Sequence, residues 1–362
     1  MSKRYVKRTV IAALMATAVG AAFAYSQGTA SAAPPAPAGV TKADVVSYLQ
    51  GISGKNTLSG QQGGANNNPG QWVATVHTIT GQYPGVWGGD FGFSQNDIDN
   101  RQTVINQAKT EWANGTLPAL TMHACRPDVA TCAFEGGVGP VKGSTMTNAE
   151  WTQLITDGTA LNTAYKRKID QFVPYFQQLK DAGIPVMFRP LHEMNEGWAW
   201  WGGRSGANGA ARLYQITHDY LVGKGFDNII WVWALKDVAG GSGQAASTDW
   251  YNALANIAGT SKPMALAEVG SVPQPSQMAS QPKWVYWSVW LDWLTNPSFN
   301  TNASIQAGYN DARTFNQGEI HIPVGTPPTT TPPTTTPPTG GTRVGVITGA
   351  GGKCVDVAGA NS

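Results

Sequence analysis

Short apolar runs alternate with helical segments through most of this sequence, and that alternation limits the fold more than any other feature. The runs that predict buried strands are residues 58–61, 84–91, 117–123, 184–191, 228–234, 264–269 and 285–290. Strands that alternate with helices favour a parallel sheet. Over the stretch from residue 40 to 325, a (β/α)8 TIM barrel is the natural closure. A doubly wound α/β sheet is the alternative, but the Gly-rich phosphate turn expected after its first strand is missing.

Two of the predicted helices have clear boundary signals. Thr147 and Glu150 form a capping-box pattern, which starts a helix. One helical stripe then runs through residues 169, 172, 173, 176 and 179, and Gly183 and Pro185 end it.

The predicted strands leave one barrel position empty. Residues 237–249 contain no apolar run. Three strand–helix units of roughly 30 residues each would place about 90 residues between Glu193 and Glu268, and the sequence places these two residues closer together than that. We therefore predict a barrel that lacks a normal sixth strand. Either Trp250 and Tyr251 replace it poorly, or the barrel has a gap.

The N-terminal segment predicts export. A basic region containing Lys3, Arg4, Lys7 and Arg8 precedes an apolar run over residues 10–24, and Ala30-Ser31-Ala32 supplies small residues for cleavage. Residues 1–32 therefore predict a secretory signal peptide, and we expect a secreted, extracellular protein. The apolar run is shorter than the ~20 residues of a membrane span. A charged content of 13% and a net charge of +2 give no case for nucleic acid or membrane as a partner.

The rest of the chain divides by composition. Residues 33–39 are a Pro/Ala-rich leader, and residues 326–341, TPPTTTPPTTTPPTGG, are an extended linker. Residues 342–362 are too short to fold alone. Export permits a disulfide between Cys125 and Cys132, which leaves Cys354 over. The cysteine spacing favours no zinc site.

Polar side chains end several predicted strands. His123 ends the third predicted strand, and His192 and Glu193 end the fourth. Glu268 ends the strand assigned to the seventh barrel position. Because barrel active sites lie at the carboxyl ends of the strands, we expect the two glutamates to point into the same opening of the barrel. Glycoside hydrolysis needs this pair: an acid to protonate the leaving oxygen and a carboxylate to attack or to activate water. Structural salt bridges or loop caps are the alternative.

The stretch RPLHEMNEGWAWWG, residues 189–202, surrounds Glu193 with tryptophans. Trp198, Trp200 and Trp201 follow the strand in a predicted loop, where indoles stack well on sugars; burial in the core is the alternative. We interpret Glu196 as a rim or structural residue. Asp90-Phe91-Gly92 repeats a kinase triplet by chance, and we assign it no role.

These motifs resemble glycoside hydrolase family 26. The resemblance rests on RPLHEMN-x-G-W-x-W-W-G, VWGGDFG at 86–92, TMHA at 121–124, NIIWVW at 228–233 and KPMALAEVG at 262–270. It implies a retaining β-mannanase on a (β/α)8 barrel, with Glu193 as acid/base and Glu268 as nucleophile. By the same resemblance His192 orients the acid, His123 and Trp198 contact sugar, and Arg189 pairs with a carboxylate. Trp201 is predicted to bind substrate with them.

The resemblance also sets the expected chemistry and its alternatives. It implies internal cleavage of β-1,4-mannan with no cofactor or metal, by a monomer. β-1,3-Xylan and mixed-linkage β-glucan are alternative substrates. Relatives have a sixth-strand tyrosine that contacts the nucleophile, and this chain lacks that element. A non-catalytic polysaccharide binder is therefore the alternative from another class.

Residues 342–362 resemble the start of a ricin-type β-trefoil carbohydrate-binding module, cut short.

Overall fold

The computed structural model describes residues 38–236 and 246–325 and the backbone of residues 353–358. The strands are β1 (Thr57–Leu58), β2 (Gly60–Gln62), β3 (Val86–Asp90), β4 (Leu117–Met122), β5 (Val186–Pro190), β6 (Ile229–Lys236), β7 (Met264–Val269), β8 (Trp284–Val289), β9 (Thr314–Phe315) and β10 (Lys353–Ala358). The helices are α1 (Lys42–Ile52), α2 (Gln71–Thr80), α3 (Gln95–Asp99), α4 (Arg101–Ala113), α5 (Asn148–Ile155), α6 (Ala160–Asp170), α7 (Val173–Asp181), α8 (Ala210–Gly223), α9 (Thr248–Ala258), α10 (Pro275–Ser280) and α11 (Asn302–Tyr309). A 3₁₀-helix, Leu291–Thr295, follows β8.

The strands close into a parallel barrel. Hydrogen bonds join them in the order β2, β3, β4, β5, β6, β10, β7 and β8, and β8 pairs back to β2. Every pairing in this ring is parallel. The parallel α/β sheet predicted from the alternating runs is therefore confirmed. Because the ring closes, the doubly wound alternative is wrong.

Several strands are mostly apolar because both of their faces are covered. β5, β7 and β8 are buried at every position. One face of each strand lines the barrel interior and the other meets the surrounding helices, so no face is left for water. This is why these segments read as continuous apolar runs. A charged residue inside such a run, Arg189 in β5, must find a buried partner.

The predicted start of one helix is confirmed, and the prediction of a single helix over residues 169–179 is wrong. Thr147 caps α5 as predicted: its hydroxyl accepts a hydrogen bond from the Glu150 backbone N–H at 3.2 Å. The stripe over residues 169–179 predicted one helix, but the structure divides it into α6 and α7. Pro174 in the first turn of α7 explains the break, since proline has no N–H with which to continue the bonding of α6.

A strand from far along the chain occupies the sixth barrel position. β10 lies between β6 and β7, with Lys353 opposite Trp231 and Ala358 opposite Lys236 on one side and Glu268 on the other. The predicted gap is therefore closed. The nearby alternative is also wrong, because Trp250 and Tyr251 lie in α9. Ser247 caps that helix, and Trp250, Leu254 and Ala258 form its buried face.

Several predicted segments lie outside the described residues. These are the signal peptide, most of the leader, the linker, the side chain of Cys354 and all of the predicted lectin fragment except the backbone of β10. The trefoil resemblance stays a prediction. Within the described part of the chain, no helix has the length and apolar character needed to cross a membrane.

Candidate active site

The two predicted catalytic glutamates lie at the carboxyl end of the barrel. Glu268 lies near the carboxyl end of strand β7, and Glu193 follows β5. Both are buried, with 4% and 3% of their surface exposed. Leu191 and Glu193 have positive φ values of 52°, a region that costs a non-glycine residue roughly 1–3 kcal/mol. The buried surroundings of the loop hold Glu193 in this strained conformation.

Glu268 is paired with the arginine that β5 supplies. Arg189 Nη2 donates to Glu268 Oε2 at 2.7 Å, and both side chains are about 5% exposed. Arg189 Nη2 also lies 3.4 Å from the Thr121 hydroxyl of β4. The carboxylate is therefore fixed by a buried cation. Buried charge-assisted hydrogen bonds of this kind are short and strongly orienting.

Glu193 has a different environment and a different charge. Burial, followed by the negative charge of Glu268, raises the pKa of Glu193 to about 8. Lys236, the Trp198 hydrogen bond and Arg189 lower it, but by less. Glu193 is therefore a neutral acid at pH 7. Two carboxyl groups whose surroundings differ in this way can take the separate roles of proton donor and anion.

A histidine pair stands beside the glutamates. His123 Nδ1 lies 2.5 Å from Asp90 Oδ2, and the His123 ring lies 4.2 Å from that of His192. Burial alone would raise the pKa of Asp90, but the charge and hydrogen bond of His123 lower it. Burial holds the pKa of His192 well below its usual value, so this ring is neutral. Asp90 thus fixes the orientation of the His123 ring.

Aromatic rings form one wall of the site. Trp198, Phe134 and Trp290 each lie about 6 Å from the His123 ring. Phe134 is 37% exposed and Trp198 is partly buried. Their position beside the acid suits contact with a sugar ring. A disulfide between Cys125 and Cys132, with Cα atoms 5.7 Å apart, closes the loop just before Phe134.

The prediction that Trp201 contacts substrate is wrong. Trp201 is fully buried, and its indole N–H donates to the His192 carbonyl at 2.9 Å. Trp200 is also buried and bonds the Ala124 carbonyl. Both indoles pack edge-on to a neighbouring tryptophan. They support the loop that presents Trp198, so the core interpretation holds for two of the three tryptophans.

Sequence reasoning missed two residues of the site. Asp90, which was assigned to a chance triplet, ends β3 and binds His123. Lys236 ends β6, and its Nζ lies 3.5 Å from Glu193 Oε2. Each is a polar residue at the end of an apolar run. The rule that found Glu268 would have found both.

A closed parallel barrel with a neutral acid and an arginine-paired carboxylate at its carboxyl end defines a glycoside hydrolase type of site. No group of side chains in the described ranges could hold a metal ion. The sequence profile of glycosyl hydrolase family 26 matches residues 35–242 and 236–319, and this chain belongs to that family. The two matched segments overlap at residues 236–242, where β6 ends.

Proteins of known name and solved structures are similar to this chain. A mannan endo-1,4-beta-mannosidase of Thermothelomyces thermophilus is 28% identical over 75% of this chain, and the chain covers only 60% of that protein. One from Bacillus subtilis (strain 168) is 25% identical, with 76% and 84% covered. Among solved structures, GH26A from Muricauda sp. MAR_2010_75 is 26% identical with a TM-score of 0.69, covering 78% of this chain and 99% of that one.

Proposed function

We propose that this protein is a secreted, retaining endo-β-1,4-mannanase that acts as a monomer. The observation that carries the chemistry is the unequal pair, a neutral Glu193 and an arginine-bound Glu268, at one barrel mouth. The choice of mannan is supported by the similarity to mannan endo-1,4-beta-mannosidases. Export is supported by the N-terminal pattern. Recovery of protein cleaved after residue 32 from culture medium, identified by mass spectrometry, tests that part.

The proposed reaction has two displacements. Glu268 attacks the anomeric carbon while Glu193 gives its proton to the departing glycosidic oxygen, which leaves a glycosyl ester on Glu268. Water then attacks the same carbon, Glu193 takes the water proton, and the Glu268–sugar bond breaks. Retaining enzymes hold the two carboxyl groups ~5–5.5 Å apart. Once Glu268 is an ester its negative charge is gone, so the pKa of Glu193 falls and Glu193 can act as a base.

We expect the activity to fall as pH rises through about 8. The acid step needs protonated Glu193, and the raised pKa of about 8 keeps that proton in place at neutral pH. An unshifted glutamic acid would lose it near pH ~4.3. The basic limb of kcat/KM against pH reports this group in the free enzyme. A basic limb near pH 5 would contradict the assignment.

We expect the purified mature protein to release reducing ends from soluble mannan, and Glu193→Gln to reduce that rate by roughly 10²–10⁴-fold. Glu196→Gln is the matched control, because Glu196 lies in the same motif and is partly exposed. Faster release from β-1,3-xylan or mixed-linkage glucan would reassign the substrate. Folded protein that is retained on a mannan gel but releases no sugar would be a binder.

A further inference from the structure

Lys236 is a buried cation beside the acid. Only 7% of this residue is exposed, and lysine is rarely buried without a charged partner. Its Nζ lies 3.5 Å from Glu193 Oε2, with the two side chains 8% and 3% exposed. The family motifs identified in the sequence assign no role to this lysine.

Two hydrogen bonds with the Asn195 side chain hold the backbone of Lys236 close to Glu193. The Asn195 side chain donates to the Lys236 carbonyl at 2.5 Å and accepts from the Lys236 backbone N–H at 2.9 Å. Asn195 is two residues from Glu193, so the end of β6 is tied to the loop that carries the acid. The backbone of Lys236 is therefore held close to the loop that carries Glu193.

An indole N–H and an ammonium group face the same oxygen of Glu193. The Trp198 indole N–H donates to Oε2 at 2.5 Å, and the Lys236 ammonium faces that oxygen too. A proton on Oε2 would face two donors, which is unfavourable. This favours the acidic proton on Oε1, the other carboxyl oxygen of Glu193.

We propose that Lys236 is a positioning residue for the proton transfer: its ammonium, with Trp198, binds Glu193 Oε2 and directs the proton to Oε1. The catalytic part of this role rests on the proposed mannanase function. Lys236 makes Glu193 easier to deprotonate, as the base step requires. Without Lys236 the pKa of Glu193 would be higher, and Glu193 would be less able to act as the base in the second displacement.

The charges around Glu193 predict the effect of removing this cation. Burial raises the pKa of Glu193 most, Glu268 from β7 raises it further, and Arg189 from β5 lowers it. His123 after β4 and His192 in the same loop also face the site. Lys236 is the largest of the lowering influences. A nearby charge shifts a pKa by about one unit or more, so its loss is expected to raise the pKa of Glu193 by about that amount.

The test compares Lys236→Met, which removes the charge, with Lys236→Arg, which keeps it. Lys55→Met, at an exposed lysine, is the control for net charge. The pKa of Glu193 is measured by ¹³C NMR of glutamate-labelled protein, with the signal assigned by its loss in Glu193→Gln. We expect Lys236→Met to titrate about one unit higher, with the basic limb of kcat/KM moved likewise and kcat lowered, and Lys236→Arg to titrate near wild type.

A folded Lys236→Met protein that titrates like wild type would overturn the proposal. So would a Lys236→Arg protein that titrates like Lys236→Met, since the charge would then not be the cause. The NMR titration needs no substrate. An inactive wild type would therefore count against the mannanase proposal and leave the role of Lys236 to be decided by the titration.

Discussion

Glu268→Ala is expected to lower turnover on mannan by on the order of 10⁴-fold or more, because it removes the carboxylate that we propose as the attacking group. Glu268 lies within hydrogen-bond distance of Arg189, and both are buried. Its removal leaves the arginine without that partner, which costs up to about 3–5 kcal/mol of stability. Glu268→Gln keeps the shape and an acceptor oxygen, so it separates loss of chemistry from loss of fold.

A small anion gives a sharper test of the same assignment. In Glu268→Ala the vacated space should admit azide, which attacks the anomeric carbon of an activated aryl β-mannoside and expels the aryl oxide. The expected product is the α-mannosyl azide, with restored release of the aryl group. Glu196→Ala with azide is the control and should form none. Wild-type rates in a folded Glu268→Ala protein would contradict the nucleophile assignment.

Removal of residues 326–362 is expected to destabilise the barrel strongly. β10 pairs with β6 along its whole length and with β7 on the other side, and each backbone hydrogen bond contributes about 0.5–1.5 kcal/mol net. A loss of several kcal/mol would lower the melting temperature by roughly 10 °C. Activity should fall too, because Ala358 lies opposite both Lys236 and Glu268.

A point substitution separates strand pairing from loss of the tail. Val355→Pro removes a backbone N–H from a central strand, where proline is not tolerated, and should reproduce most of the effect of the truncation. Val355→Ile keeps an apolar β-branched residue with its backbone N–H and should melt much closer to wild type than Val355→Pro. Equal melting temperatures and equal activity for the full-length and truncated proteins would mean that the barrel does not depend on β10.

The candidate site was predictable to the extent that its residues follow apolar strands. Glu193, Glu268, His123 and His192 were all found in this way. Trp201 was misassigned because a tryptophan after a strand has the same local pattern whether it points to the cleft or into the core. Asp90 was set aside as a chance triplet, although it ends β3. Its position at a strand end could have indicated a site residue, and its 2.5 Å contact with His123 shows which side chain it orients.

The sequence by itself determined the alternating architecture, the strands that flank the site and the two glutamates, because buried strands and the residues after them leave a local signature. The tertiary structure decided how the barrel closes. β10 is separated from β6 and β7 by the predicted linker, and no local pattern reports a pairing across that distance. It also decided which oxygen of Glu193 meets Lys236 and Trp198. Such contacts join residues from different elements, and folding alone brings those elements together.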